Sequence, residues 1–212
     1  MTKRDVVFLV ADGGMEQMLL GFLGRPQVHR SIRCGPFDFN PGEDLFVRMG
    51  DSLVYKMARD LLQPFERRHQ RAVVMLDAAW GGSPGAQAIR ENIEKSLDGV
   101  WEQYAVVVID SELEAWVWQD NPNVAEALKC STDFRQILAD SGHWPYGRLK
   151  PSDPKAALEY LKSLPGNGGS KRADGSNAAL RRLAEKISVR HCQDPAFNHL
   201  CEHLRAWFPE NS

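Results

Sequence analysis

The run Val6-Val7-Phe8-Leu9-Val10-Ala11 is apolar at every position and ends at Asp12-Gly13-Gly14. That is the pattern of a strand covered on both faces. The period then changes: Met15, Met18, Leu19, Leu20, Phe22 and Leu23 recur at helical spacing, and Gly24-Arg25-Pro26 stops the helix. Val28 to Cys34 predicts a short strand, followed by a loop marked by Gly35-Pro36 and Asn40-Pro41-Gly42. Ser52 to Arg68 predicts a helix with Leu53, Met57, Leu61, Leu62 and Phe65 on one side. The pattern repeats with a buried strand over Ala72 to Asp77, a glycine-rich turn from Ala78 to Gly85 and a helix over Ala86 to Leu97. A third strand, Ala105 to Ile109, ends at Asp110, and Glu112 to Gln119 predicts a further helix.

Strands separated by helices imply parallel crossover units in an α/β sheet, with ligand sites beyond the carboxyl ends of the strands. Asp12, Asp77 and Asp110 all fall there. Beyond Asp133 only helices are predicted, over Asp133 to Asp140, Pro154 to Leu164, Asn177 to Ile187 and Asp194 to Trp207. Residues 1–130 therefore read as an α/β core and residues 131–212 as a helical region packed on it, or the two as one domain. Pro165 to Ser176 has the composition of a mobile loop.

Composition changes this picture little. The 212 residues are 43% hydrophobic and 25% charged, which excludes a disordered or low-complexity chain. The formal net charge of -2 excludes a polycation that coats nucleic acid unselectively. Charge is unevenly spread, however. Residues 98–142 carry nine acids against Lys129 and Arg135, whereas residues 143–190 carry ten Lys and Arg against Asp153, Glu159, Asp174 and Glu185. The charged start and the short apolar run after it predict neither a signal sequence nor a membrane span, hence a cytoplasmic protein with no membrane partner. Cys34, Cys130, Cys192 and Cys201 lack a CxxC spacing and read as buried thiols.

Carboxylates at neighbouring strand ends can converge on a hard divalent cation, Mg²⁺ or Mn²⁺, which prefers oxygen ligands. Such an ion polarises a phosphate while a spare carboxylate acts as general base. Asp12, Glu16 and Asp77 are the first candidates, and Asp110, Glu112 and Glu114 form a second acidic group. The plainer alternative is that Asp12 caps the helix after it, with Glu16 in the favoured first turn, and that Ser111 and Glu114 form a capping box.

These same residues carry a family resemblance. LVADGGMEQMLL resembles the strand, EGxTE turn and helix that open Toprim-like phosphodiesterases and the nuclease domains of overcoming-lysogenization-defect proteins. VVMLDAAW is similar to the strand and DxD of that fold, IDSELEAW resembles the PEIEAW signature of a small Toprim-like family of prokaryotic defence loci, and LKPSDPKAAL its later PxK segment. Together the four motifs resemble a component of the methylation-associated antiphage defence system. The resemblance implies a Toprim-like parallel sheet and metal-dependent phosphodiester chemistry on nucleic acid. It implies Asp12, Glu16 and Asp77 as catalytic and metal-holding residues with Glu112 and Glu114 lining the site, and other defence proteins as partners. Two departures weaken the site: Asp12 stands in place of the glutamate, and Ala79 in place of the second aspartate of DxD. A catalytically degraded subunit that binds nucleic acid or partner proteins is therefore the alternative.

His199 and His203 are four apart on a predicted helix, a spacing that can bind zinc, but the neighbouring apolar stripe Phe197, Leu200, Cys201, Leu204 and Phe208 points to core packing instead. GNGGSKRADGS lacks the phosphate-loop pattern. Lys171, Arg172, Arg181 and Arg182 remain candidates for phosphate-backbone contact, and Trp80, beside Asp77, for stacking on a base.

Overall fold

The computed structural model describes residues 2–110, 113–116, 118, 122–164, 176–189, 192, 194–210. Four strands are formed by these residues: β1 (Arg4–Val10), β2 (Leu45–Val47), β3 (His69–Asp77) and β4 (Gln103–Ile109). They make one all-parallel sheet in the order β2-β1-β3-β4, with Phe8 paired to Leu45, Val10 to Met75 and Met75 to Val107. Parallel strands need covered crossovers, and the apolar runs supply the reason: Val6 to Ala11, Ala72 to Leu76 and Ala105 to Ile109 are buried throughout.

The helices in chain order are α1 (Gly13–Leu23), α2 (Val28–Ile32), α3 (Pro41–Asp44), α4 (Asp51–Leu62), α5 (Ala86–Leu97), α6 (Pro122–Leu128), α7 (Phe134–Asp140), α8 (Pro154–Ser163), α9 (Ser176–Lys186) and α10 (Pro195–Trp207). The connection from β1 through α1 steps outward to β2, and the connection through α4 steps back across β1 to β3. Right-handed crossovers then put α1 on one face and α4 with α5 on the other. The remaining cover of the α1 face comes from the far end of the chain. Helix α9 packs along α1, and α10 packs on β4, with Phe197 edge-on to Phe22 at 5.3 Å.

The α1–α9 contact is close because glycines make it so. A Cβ on Gly21 would lie 2.5 Å from the Arg181 carbonyl oxygen and 2.9 Å from Ala184 Cβ. Arg25, just past α1, donates from its guanidinium to the Ala184 and Ile187 carbonyls, closing the open carbonyl end of α9. At the amino edge of the sheet, buried Asp44 accepts from Arg4 in a bidentate pair, from the Asn40 amide at 2.6 Å, and meets His69 Nε2 at 3.0 Å. This ties the starts of β1 and β3 to the lead-in of β2.

Several expectations change. Val28 to Ile32 is helical, because Val28 and Ile32 stand one turn apart and bury together, and Arg33 ends the turn at φ 58°. Helix α4 stops at Leu62 and passes into a 3₁₀ turn at Gln63–Phe65, where Pro64 cannot donate to the preceding turn. Its buried side is Val54, Ala58 and Leu62, leaving Leu53 and Met57 each 40% exposed. In place of a helix over Glu112 to Gln119 there is a 3₁₀ turn at Leu113–Trp116, with 112, 117 and 119 outside the described residues. Residues 165–175, read as a mobile loop, also lie outside them.

Candidate carboxylate site at the strand ends

Where β1 leads outward to β2 and β3 lies on its other side, the connections diverge and leave a crevice at the carboxyl ends of β1 and β3. Asp12 and Asp77 both stand there. Continuing the Val10–Met75 register by two places sets Asp12 level with Asp77. Asp12 Oδ1 accepts from the Met15 amide at 2.8 Å, so this carboxylate is the N-cap of α1.

The structure adds a third acid that sequence reasoning missed. After β2 the chain crosses over the end of β1, with the Arg48 amide on the Val10 carbonyl at 2.9 Å and the Gly50 amide on the Ala11 carbonyl at 2.8 Å. Gly50, at φ 114°, turns the chain into α4, whose first residue is Asp51. Asp51 Oδ1 accepts from the Asp77 amide at 2.8 Å. Burial, and secondarily the charge of Asp12, push the Asp51 carboxyl above the ordinary aspartate value. The sequence signal was the Gly-Asp pair before an amphipathic run, which places an acid in the first turn of a helix entering at a strand end.

The other predicted residues are less gathered. Glu16 sits half-buried one turn into α1, with the Gln17 side-chain amide 3.5 Å away. Glu114 is half-buried in the 3₁₀ turn, and Glu112 lies outside the described residues. Ala79 is exposed in the turn after β3, and the half-buried Trp80 leans on Tyr55 with ring centroids 5.9 Å apart. The donor chemistry suits a hard cation, since every candidate offers carboxylate oxygen. The geometry does not complete it: among the described residues no group of three or more His, Cys, Asp or Glu could hold a metal ion. Asp12 and Asp51 each have one oxygen committed to a backbone amide.

SELEAW and LKPSDPK come together through indole hydrogen bonds. Trp116 Nε1 donates to Asp194 Oδ1 at 3.0 Å, Lys150 Nζ lies 3.1 Å from Asp194 Oδ2, and Trp118 Nε1 donates to the Pro154 carbonyl at 2.8 Å. Buried Asp194 also caps α10, accepting from the Ala196 and Phe197 amides at 3.0 and 3.1 Å. These contacts make the two motifs a packing hub.

The basic candidates divide. Arg181 is exposed and pairs with Glu185 at 3.3 Å, Arg182 donates to the Ala127 carbonyl at 3.2 Å, and Lys171 and Arg172 lie outside the described residues. His199 and His203 touch at 4.6 Å between ring centroids, and burial holds both below the usual histidine pKa. Cys34, Cys130, Cys192 and Cys201 are free thiols, and burial raises the pKa of each.

A four-stranded all-parallel sheet flanked by helices defines an α/β architecture that matches the Toprim-like type. No helix among the described residues is long and apolar enough to cross a membrane. No protein-family model matches the chain, and no curated protein or solved structure is significantly similar to it.

Proposed function

We propose that this chain is a catalytically reduced Toprim-like subunit of prokaryotic antiviral defence, which binds nucleic acid alongside other proteins of a multicomponent system. The observation that supports the loss of catalysis is the use of Asp12. Its carboxylate caps α1 in the position where the resemblance wants a metal-holding glutamate, and Ala79 leaves the turn after Asp77 without its second acid. A side chain already bonded to a backbone amide and one methylene short is poorly placed to reach a shared cation.

One observation favours a second reading, a Mg²⁺- or Mn²⁺-dependent phosphodiesterase. Asp51 stands close enough to Asp12 to feel its charge and accepts the Asp77 amide, so an acid from α4 occupies the crevice in place of the one that Ala79 lacks. Asp12, Glu16, Asp77, Glu112 and Glu114 would then share the site with it. Melting curves with and without Mg²⁺ or Mn²⁺, together with hydrolysis of bis(p-nitrophenyl) phosphate, decide between the two. The reduced subunit shows no turnover and no rise in Tm. Turnover and a Tm rise that both vanish in Asp77→Ala would overturn it in favour of the phosphodiesterase, because an ion that binds only the folded state stabilises it by mass action.

A further inference from the structure

Helix α1 carries the chain away from the carboxylate crevice by about 16 Å, at about 1.5 Å per residue, before α2 begins. There α2, Val189, Cys192 and one side of α10 line an open pocket of about 530 Å³. Among the described residues its walls include three arginines, Arg30, Arg33 and Arg205, and no acidic residue. We propose that this pocket is a binding site for a phosphate group, with Arg30 and Arg33 as its principal ligands. It is distinct from the strand-end carboxylates and does not depend on how they are read.

Four observations carry the proposal. The first is that the charge is uncommitted. Arg181 and Arg182 are engaged with Glu185 and the Ala127 carbonyl. Arg30 and Arg33, by contrast, make no side-chain hydrogen bond or ion pair among the described residues. The second is that Arg205 is held in place: its Nε donates to the Ile32 carbonyl at 2.6 Å, which fixes the guanidinium against the end of α2 and leaves its other N–H groups to the pocket.

The third is backbone strain. Arg33 occupies the left-handed region at φ 58°, ψ 54°, where a glycine would sit without strain and a residue with a Cβ does not. This conformation ends α2 at the rim of the pocket. The fourth is the floor. Cys201 and Cys192 line it, and burial pushes the Cys201 thiol up to about 12, so no thiolate opposes an anion. Asn198 adds an amide donor to the wall. Planar guanidinium forks match phosphate oxygens in paired bonds, which is why uncommitted arginines converging on a concave surface recognise phosphate in particular.

The phosphate can come from a free phosphorylated small molecule or from a nucleic-acid backbone. Calorimetric titration with inorganic pyrophosphate tests the first source, and anisotropy of a fluorescein-labelled 20-nucleotide single strand the second. Wild type should bind at least one probe. Arg30→Ala/Arg33→Ala should weaken that binding about tenfold or more, and flatten the salt dependence of strand binding by about 0.7 per arginine. Arg30→Lys/Arg33→Lys should recover part of the loss, since it restores charge without the fork.

Both positions are exposed, so the melting temperature of the alanine pair serves as the check on folding. Arg59→Ala/Arg67→Ala, which removes the same charge from exposed positions outside the pocket, should bind like wild type. Pyrophosphate binding that depends on Arg30 and Arg33 assigns a small-molecule phosphate. Strand binding alone with that dependence assigns a backbone phosphate. Failure of both probes, indifference to Arg30→Ala/Arg33→Ala, or an equal loss in Arg59→Ala/Arg67→Ala overturns the site. The readout here is binding that depends on Arg30 and Arg33, whereas that of the carboxylate crevice is turnover and the metal response, so failure of one is distinguishable from failure of the other.

Discussion

Burial and the neighbouring Asp12 charge both disfavour the ionised form of Asp51, so its carboxyl titrates above the value it has in the unfolded chain. Such a group favours folding while protonated, and that contribution is lost as pH rises through its folded-state pKa. Asp51→Asn keeps an oxygen to accept the Asp77 amide and removes the charge. It should raise Tm at pH 7, with the gain shrinking toward pH 4, as read by thermal denaturation across pH. The histidine pair works in the opposite sense. Burial comes first, Arg90 next for His199, in holding both imidazoles below the usual 6.5. The unfolded chain therefore binds more protons just below that value, and stability falls as pH drops through it. Tm should decline from pH 7 to pH 5 by more in wild type than in His199→Gln/His203→Gln. Asp44 is fully buried among its partners, so its loss is costly. Burial alone would raise its pKa, but the bonds from Arg4, Asn40 and His69 outweigh it and hold the carboxylate ionised. Asp44→Ala leaves Arg4 and buried His69 without their partner and should cost about 3 to 5 kcal/mol in chemical denaturation.

Among the elements, the α1–α9 seam makes the sharpest demand on sequence. Gly21→Ala gains helix propensity of about 1 kcal/mol, but its Cβ would sit 2.5 Å from a backbone oxygen that cannot rotate away. The expected net loss is about 1 to 3 kcal/mol. Gly14→Ala meets side chains at 3.1 to 3.3 Å and should cost less, a contrast that urea midpoints of the two variants can check. The long strands were legible because each contains an unbroken run of five buried apolar residues, although their polar first residues were not, and α5 was legible to the residue because Ile89, Ile93 and Leu97 repeat at one-turn spacing. The three residues of β2 carry no periodicity; their strand geometry comes from pairing with Phe8 to Val10. Val28 to Ile32 misled because β-branched residues suit either state, and burial of one helical side decided it. At the site, Asp12 and Asp77 announce themselves as acids ending apolar runs. Asp51 does not, since its partner amide lies 26 residues away in the chain. The arginine pocket was illegible for the same reason, joining α2 to α10 across most of the sequence.

For the whole molecule, the apolar residues of the sheet, α1, α9 and α10 form one continuous buried cluster. A chain ending at residue 164 would lack both late helices and uncover α1 and one side of β4. It should show no cooperative thermal transition, where the full chain should show one. The same connectivity sets a schedule during synthesis. Arg25 and its acceptor Ala184 are separated by 159 residues. At about 5 to 20 residues per second, the ribosome delivers one roughly 8 to 30 s after the other. Until its last helices arrive, the nascent chain carries the apolar residues of α1 and of one side of the sheet without their cover, so its fate during translation depends on whatever chaperone shields them.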